Sequence, residues 1–453
     1  MNKIDTVIQG IAKLSAPSKT KQVKLEKISK EIQKEIESFR DSRISRVQVG
    51  GSFAKGTWLE NYTDIDFFVM ISSTVEREEF EQLGKSIGFQ VLKNHHPYLR
   101  YSEHPYVEGQ VDGIRVNIVP CYKVEKNMWK SAADRSPFHT EFMQDHLNDF
   151  LRGQVRVLKK FLKSIGVYGS QIAISGFSGY VTEVLILKYR SFKNVVQTFA
   201  ELSPNYVVSM ALPKQETLAK FTSPLIIIDP VDPRRNLGAA ISHESVTKFV
   251  LASRNFLKDP SRDFFTNSFK LNPKIIMNIK SNLLIIDFKI QKRSPDILWG
   301  QLKRKLSSIS RQLGNAGFKI IKKYCFTDEQ QHAVLIFLIE FPSLSKIKLI
   351  VGPEMYFREE TDSFIKKRAN KSMMMWTDKM RIASIEKRKI LSIKEQVRIM
   401  IQNEINSESS AGITLDLKNG YSVYLAHERR LSVFVTSAIY NMVLDGEFIR
   451  RLQ

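Results

Sequence analysis

The segment Asp64–Ser72, DIDFFVMIS, sets two carboxylates at the start of an otherwise apolar run. Its continuous apolar end predicts a central strand. Residues two apart in a strand project to one face, so Asp64 and Asp66 stand side by side. Like charges at that spacing repel and raise a pKa unless a cation lies between them. Two-metal phosphoryl and nucleotidyl transfer uses such a pair, with ions roughly 3.5–4 Å apart, and Mg2+ suits the hard oxygen donors. Asp-x-Asp alone is common on exposed strands. The upstream segment VQVGGS strengthens the signal, because it predicts a strand ending in a glycine turn with Ser52 twelve residues before Asp64. Glycine lets backbone N–H groups approach a phosphate, and Ser52 adds a hydroxyl donor. A short helix after Ser52 would aim its N-terminus at the same phosphates. A phosphate cradle followed by a metal clamp makes a coherent nucleotide site.

The charge balance points the same way. Lys and Arg number 69 against 47 Asp and Glu, a formal net charge of +22. That excess implies a polyanionic partner, either nucleic acid or an anionic membrane. The blander source of such a charge is a generally basic proteome. No apolar run approaches the roughly 18 to 20 residues of a membrane span. The first residues lack a signal-peptide centre and cleavage site. The expectation is therefore a cytoplasmic protein that uses its charge on nucleic acid, with no membrane partner. Cys121 and Cys325 lie far apart in apolar surroundings and read as buried free thiols, with no zinc spacing.

At 453 residues the chain suggests about three domains. Val23, Ile28, Ile32 and Ile36 recur at helical spacing and predict an amphipathic surface helix over residues 20–40. LRYSEHPYVEGQVDGIRVNIVPCY predicts a hairpin turned at Asp112-Gly113. These pieces form a small mixed sheet with helices, residues 1–142. Residues 143–265 are mainly helical, interrupted by a short strand leading into PVDPRRN. Residues 266–453 change pattern again. NLLIIDFKI, a helix, FKIIKKYCF, AVLIFLIEF and KIKLIVG give a β-α-β-β run that resembles an RNA-recognition fold without its aromatic motif. Residues 366–398 hold eleven Lys or Arg against three acidic residues around Met373–Trp376. Two readings stay open there: a solvated helical face with a core stripe, or a surface for an RNA backbone.

The Gly-Ser pair and the later Asp-x-Asp follow the pattern of the DNA polymerase beta-like nucleotidyltransferase superfamily. GSFAKGTWL, RYSEHPYVEG, VNIVPCYK, DRSPFH, FLKSIGVYG, GFSGY and IDPVDPRRN, in that order, resemble the archaeal, class I CCA-adding enzyme family of tRNA nucleotidyltransferases. The resemblance is strong over about residues 20–260 and carries few fixed motifs beyond. It implies an α+β chain: a polymerase-beta-like head with a mixed sheet, a helical neck, and a C-terminal α+β body and tail that binds tRNA. It implies addition of C, C and A to the tRNA 3′ end from CTP and ATP, with Mg2+ in a two-metal site, by a homodimer. Asp64 and Asp66 would bind metal. Gly51, Ser52, Lys159 and Tyr168 would hold the nucleotide's phosphates, Lys55 would belong to the nucleotide-binding set, and His104 would lie near the triphosphate or primer end. Arg235 would face the incoming base, supported by Asp232.

One position departs. The family carries a third carboxylate where this chain has Asn117, in RVNIVPCY. An amide has nearly the same shape, but it bears no charge and cannot take the proton of an attacking hydroxyl. Asp112 lies five residues earlier, roughly 16 Å along an extended strand, and forms the turn instead. The sequence thus predicts a chain that binds nucleotide and tRNA with impaired transfer. Two alternatives are a poly(A) or oligoadenylate-type transferase, which would use ATP alone, and a non-catalytic RNA-binding protein on the same scaffold.

Overall fold

The computed structural model describes residues 2–101, 105–211, 218, 221, 223–266, 273–407 and 411–444. The chain divides into two compact units, Met1–Phe269 and Lys270–Asp445. The expected division at 142/143 falls inside the first of them.

In the first unit, helices α1 (Lys3–Leu14) and α2 (Lys19–Glu37) precede a five-stranded sheet. Its strands are β1 (Ile44–Gly50), β2 (Asp64–Ser72), β3 (Tyr98–Tyr101), β4 (Pro105–Val111) and β5 (Ile114–Lys123), in the spatial order β1-β2-β5-β4-β3. β2 and β5 run parallel and the other pairs antiparallel, the mixed sheet expected. The Asp112-Gly113 turn has φ of +49° and +75°, the positive values at both central residues that the primed turn of type I′ requires. One face of the sheet is apolar. Ile65, Phe67, Val69, Val107, Val116 and Ile118 pack there with Leu25, Ile28, Ile32 and Ile36 of α2 and with α4 (Arg77–Val91). Val23, expected on that stripe, is 65% exposed, and Leu25 occupies the buried place. α4 lies close because Gly88 has no side chain; a Cβ there would sit 2.5 Å from Val107. The opposite face carries Asp64, Asp66, Arg115 and Asn117.

A second core in this unit is helical. It joins α1, α5 (Arg135–His146), α6 (Asp149–Ser164), α7 (Gly179–Tyr189), α8 (Phe192–Ala200) and the helix His243–Lys258. α3 (Gly51–Ala54) is the single turn that follows β1. Side-chain oxygens of Asn148 and Ser178 cap α6 and α7, which fixes where each helix starts. Phe161 of α6 is central, ringed by Phe192, Phe249, Phe256, Phe264 and Phe265 at centroid distances of 5.3–6.1 Å. The short strands β6 (Val207–Val208) and β7 (Ile226–Ile227) pair beside it.

The second unit contains β8 (Leu283–Lys289), β9 (Ile320–Thr327), β10 (His332–Ile339) and β14 (Tyr421–Leu425), ordered β14-β8-β10-β9 and antiparallel throughout. With helices Pro295–Ala316 and Ile393–Ile405 this is the β-α-β-β-α-β arrangement, as the strand sequence suggested. Both faces of the sheet are covered. The two helices bury one face, and helix Val433–Leu444 packs Val435, Ala438, Ile439 and Met442 on the other. The face that an RNA-recognition fold offers to bases is therefore closed here. KIKLIVG is not part of this sheet. β11 (Ile347–Glu354) pairs instead with β13 (Arg381–Lys387), beside β12 (Ser372–Asp378), in a separate three-stranded sheet. Met373–Trp376 lie on β12 and not on a helix: ladder bonds to the alternating strand β13 override the helical reading. Cys121 and Cys325 are buried and unbridged, as expected.

Candidate active site

Gly50 on β1, Asp66 on β2 and Asn117 on β5 lie directly opposite one another across the sheet. Asp64 is level with Arg115 in the same parallel pair. Directly opposed residues share a face, so the strand register gathers these groups. The Asn117 amide Nδ2 donates to Asp66 Oδ1 at 2.8 Å, and Arg115 Nη2 donates to Asp64 Oδ2 at 3.1 Å. Burial raises the Asp66 pKa, and the Asp64 charge adds to it, so the carboxyl is pushed up to about 7 against the pull of Asn117. Gly51 closes the corner. It has φ of +65°, and a Cβ at its position would lie 1.9 Å from Asp66 Oδ2. Both the conformation and the space require glycine. The chain then turns through α3, and the Thr57 amide donates back to the Ser52 carbonyl.

The third position of the row holds an amide whose Oδ1 is buried without a hydrogen-bond partner. The next residue across the sheet is Glu108 of β4. Its carboxylate is buried but engaged elsewhere, accepting from Tyr98 Oη and from Arg100 Nε at 3.2 Å. Among the described residues no group of three His, Cys, Asp or Glu side chains is close enough to hold a metal ion. Glu108 as placed is committed to Tyr98 and Arg100 and does not join Asp64 and Asp66. What remains is two carboxylates, of which Asp64 raises the proton affinity of Asp66, and an orphaned amide oxygen. These are hard donors that fit a divalent cation, with one negative charge fewer than three carboxylates give.

Behind this row, one buried carboxylate organises the loop after Ser52. Glu183 of α7 is fully buried. Its Oε2 accepts from Lys55 Nζ at 2.5 Å, its Oε1 from Thr57 Oγ1 at 2.5 Å, and Lys159 Nζ lies 3.6 Å away. Lys159 also donates to the Thr57 carbonyl at 3.0 Å. Burial pushes the Glu183 carboxyl up, yet the charges of Lys55 and Lys159 outweigh it and hold the pKa below its ordinary range. Lys159 was expected to meet phosphate and Lys55 to contact the nucleotide. The structure instead buries both ammonium groups against Glu183 and Thr57, where desolvation demands a counter-charge. Their direct effect is to fix the loop. Glu183 was missed in the sequence, although a lone acid in the apolar helix GYVTEVLILKY was a usable signal.

Arg235 is partly exposed, with its Nη1 3.7 Å from Asp229 Oδ2. Asp229 is fully buried and is bonded by His139 Nε2 at 2.8 Å, Tyr180 Oη at 3.3 Å and the Val231 amide at 2.9 Å. The carboxylate beside Arg235 is therefore Asp229. Asp232, expected in that role, pairs with Arg135 at 2.9 Å and with Arg234 at 3.4 Å, and reaches Arg235 only through its backbone carbonyl. Asp232 sits three residues before Arg235 in a turn, so its side chain diverges while its carbonyl closes the bend. The Tyr168 ring faces Lys163 of α6, with the ammonium 5.4 Å from the ring centre. His104 lies outside the described residues.

Two outcomes test this geometry. Removing Glu183 leaves two buried ammonium groups without a counter-charge. Glu183→Ala should lower stability by about 3–5 kcal/mol in urea unfolding, and a loss under about 1 kcal/mol would show that the cluster is not an ion-paired anchor. Asp66 holds its proton more tightly folded than unfolded, its pKa rising from 3.8 to about 7. Its contribution to stability is thus present at acid pH and lost as pH rises from about 4 to about 7. The melting temperature of metal-free protein should fall over that range by an increment that Asp66→Asn removes. The same fall in the Asn variant would assign it to other groups.

Three family models match in order along the chain. A nucleotidyltransferase domain covers residues 25–141, the second domain of tRNA nucleotidyltransferase covers 153–266, and the C-terminal domain of the CCA-adding enzyme covers 280–426. A CCA-adding enzyme of Saccharolobus shibatae is 36% identical over 402 residues, 88% of this chain and 91% of that protein. One from Sulfurisphaera tokodaii is 35% identical over 367 residues, 81% of this chain and 85% of its own length. One from Pyrobaculum neutrophilum is 34% identical over 375 residues, 81% and 86% of the two chains. The head's site and both later segments fall within these matches, and the chain belongs to the CCA-adding enzyme family.

Proposed function

We propose that this chain builds the terminal CCA of tRNA from CTP and ATP without a nucleic-acid template. The observation that carries the reading is the row of Gly50, Asp66 and Asn117 beside Asp64, in a chain of the CCA-adding family. Residues 1–142 act as the nucleotidyltransferase head, 143–265 as the neck that completes the nucleotide site, and 266–453 as the tRNA-binding body and tail. Asp64, Asp66 and the Asn117 amide oxygen would hold Mg2+, which supplies charge for the phosphoryl oxygens when bound. Gly51 and Ser52 hold the triphosphate against the sheet. The Glu183 cluster keeps that loop in place, so the phosphates meet a preorganised corner. The tRNA 3′-hydroxyl gives up its proton to solvent water and its oxygen attacks the α-phosphorus, a new P–O bond forms, and pyrophosphate leaves with the electrons of the broken bond. Arg235, set by Asp229, presents donors to the incoming base. The working form in this reading is a homodimer. Leu349 and Val351 of β11, 61% and 50% exposed, offer it an apolar surface.

No transmembrane candidate competes with this reading, since no helix among the described residues is long and apolar enough to cross a membrane. Asn117 limits the chemistry. It neither adds a third negative charge nor takes the hydroxyl proton, and carboxylate roles of this kind contribute on the order of 100- to 10,000-fold. Incorporation of labelled CMP into tRNA lacking CCA should therefore be slow in this chain and rise at least about 100-fold in Asn117→Asp. Equal, high rates in both would show that the amide is no impairment. No transfer by either protein, with tRNA binding intact, would favour a non-catalytic RNA-binding role.

A further inference from the structure

We infer that Lys163, one turn past Lys159 on α6, binds a phosphate group of the substrates at the edge of the active site. The inference rests on the nucleotidyltransferase reading of the site and adds a contact that the motifs did not suggest.

Arg152, Arg156, Lys159 and Lys163 recur every three or four residues, so they share one face of α6. Three of the four have partners in the protein. Arg152 Nη1 bonds Asp149 at 2.9 Å, Arg156 Nη1 donates to the Gly56 carbonyl at 2.6 Å, and Lys159 is held by Thr57 and Glu183. Lys163 has no carboxylate partner among the described residues. Its ammonium lies over the Tyr62 ring, 2.9 Å from the centre, and 5.4 Å from the centre of the Tyr168 ring.

The surroundings show what is missing. Lys163 is half-buried, and burial with the charges of Lys159 and Arg115 pushes its pKa down to about 8, while Asp64 pulls it up. Asp64 is already bonded by Arg115, and Glu183 is already shared by Lys55 and Lys159. The local cations Lys55, Arg115, Lys159 and Lys163 outnumber Asp64, Asp66 and Glu183 by four to three, and a bound divalent metal widens the surplus. An arriving phosphate relieves it. Tyr62 is 62% exposed, so its ring is a weak and movable partner that the ammonium leaves readily for an anion. The chemistry is the same for two sources, the nucleotide triphosphate or a backbone phosphate of the tRNA end.

Equilibrium binding separates them and does not require turnover, so an inactive site would not obscure the result. CTP and tRNA lacking CCA are titrated separately into wild-type protein, Lys163→Met and Lys163→Arg, with melting temperatures as the check on folding. If Met unfolds the chain, Lys163→Gln takes its place. A tenfold or greater weakening of CTP binding, largely restored by Arg, with tRNA affinity within twofold, identifies the triphosphate. Weaker tRNA binding, with a salt slope reduced by about one, identifies the RNA phosphate. Unchanged affinity for both ligands in folded variants, with wild type binding both, overturns the role of Lys163 and leaves the proposed function standing. Failure of wild type to bind either ligand would instead overturn the proposed function.

Discussion

A single carboxylate, Glu183, has no access to water and touches three groups from two other parts of the chain. Lys55 and Thr57 belong to the loop after Ser52, and Lys159 belongs to α6. None of these buried polar groups is stable alone: an isolated charge in such a place loses several kcal/mol of hydration. The cluster therefore exists only when α3, α6 and α7 are all in position. That makes loop geometry a consequence of helix packing. The apolar side of α6 puts Val155, Leu158, Phe161 and Leu162 into the helical core, and the same helix turns Lys159 towards Thr57. The corner at Gly51 and Ser52 is thereby tied to that core.

The sheet contributes a different constraint. Its register decides which side chains meet, and a parallel pairing of β2 with β5 brings residues 51 positions apart into hydrogen-bond contact. Asn117 shows what this register imposes. Its amide bonds Asp66 and carries no charge, and the amide oxygen is left buried without a donor. The row offers a cation two carboxylates and one neutral oxygen.

Much of this was legible in sequence, and for identifiable reasons. Period-two alternation and the Gly-Gly corner placed Asp64, Asp66, Gly51 and Ser52 because each signal is local. Resemblance supplied Asn117 as the odd member of the row. The burial of Lys55 and Lys159 against Glu183 was not foreseen, because the Lys55–Glu183 pair spans 128 positions and nothing near Lys55 names its partner. Asp229 was overlooked beside Asp232 because both lie in one acidic turn, and only the backbone path decides which carboxylate faces Arg235. In the second unit, hydrophobic runs located three of the sheet's four strands, while KIKLIVG went to a separate sheet and the edge strand β14 was not foreseen. Nor was the closure of the sheet's second face, since it depends on a helix that arrives over ninety residues after β10.

That closure bears on where RNA can be bound. A net charge of +22 needs a surface, and the covered four-stranded sheet is not available as a stacking platform. Base stacking on that sheet would first require helix Val433–Leu444 to leave, exposing Leu283, Ile285, Val334 and Ile336 to water. At about 25 cal/mol per Å2 of apolar surface, uncovering four such side chains costs more than base stacking on one or two of them returns. Recognition by this unit is therefore expected to run through phosphate contacts from exposed Lys and Arg.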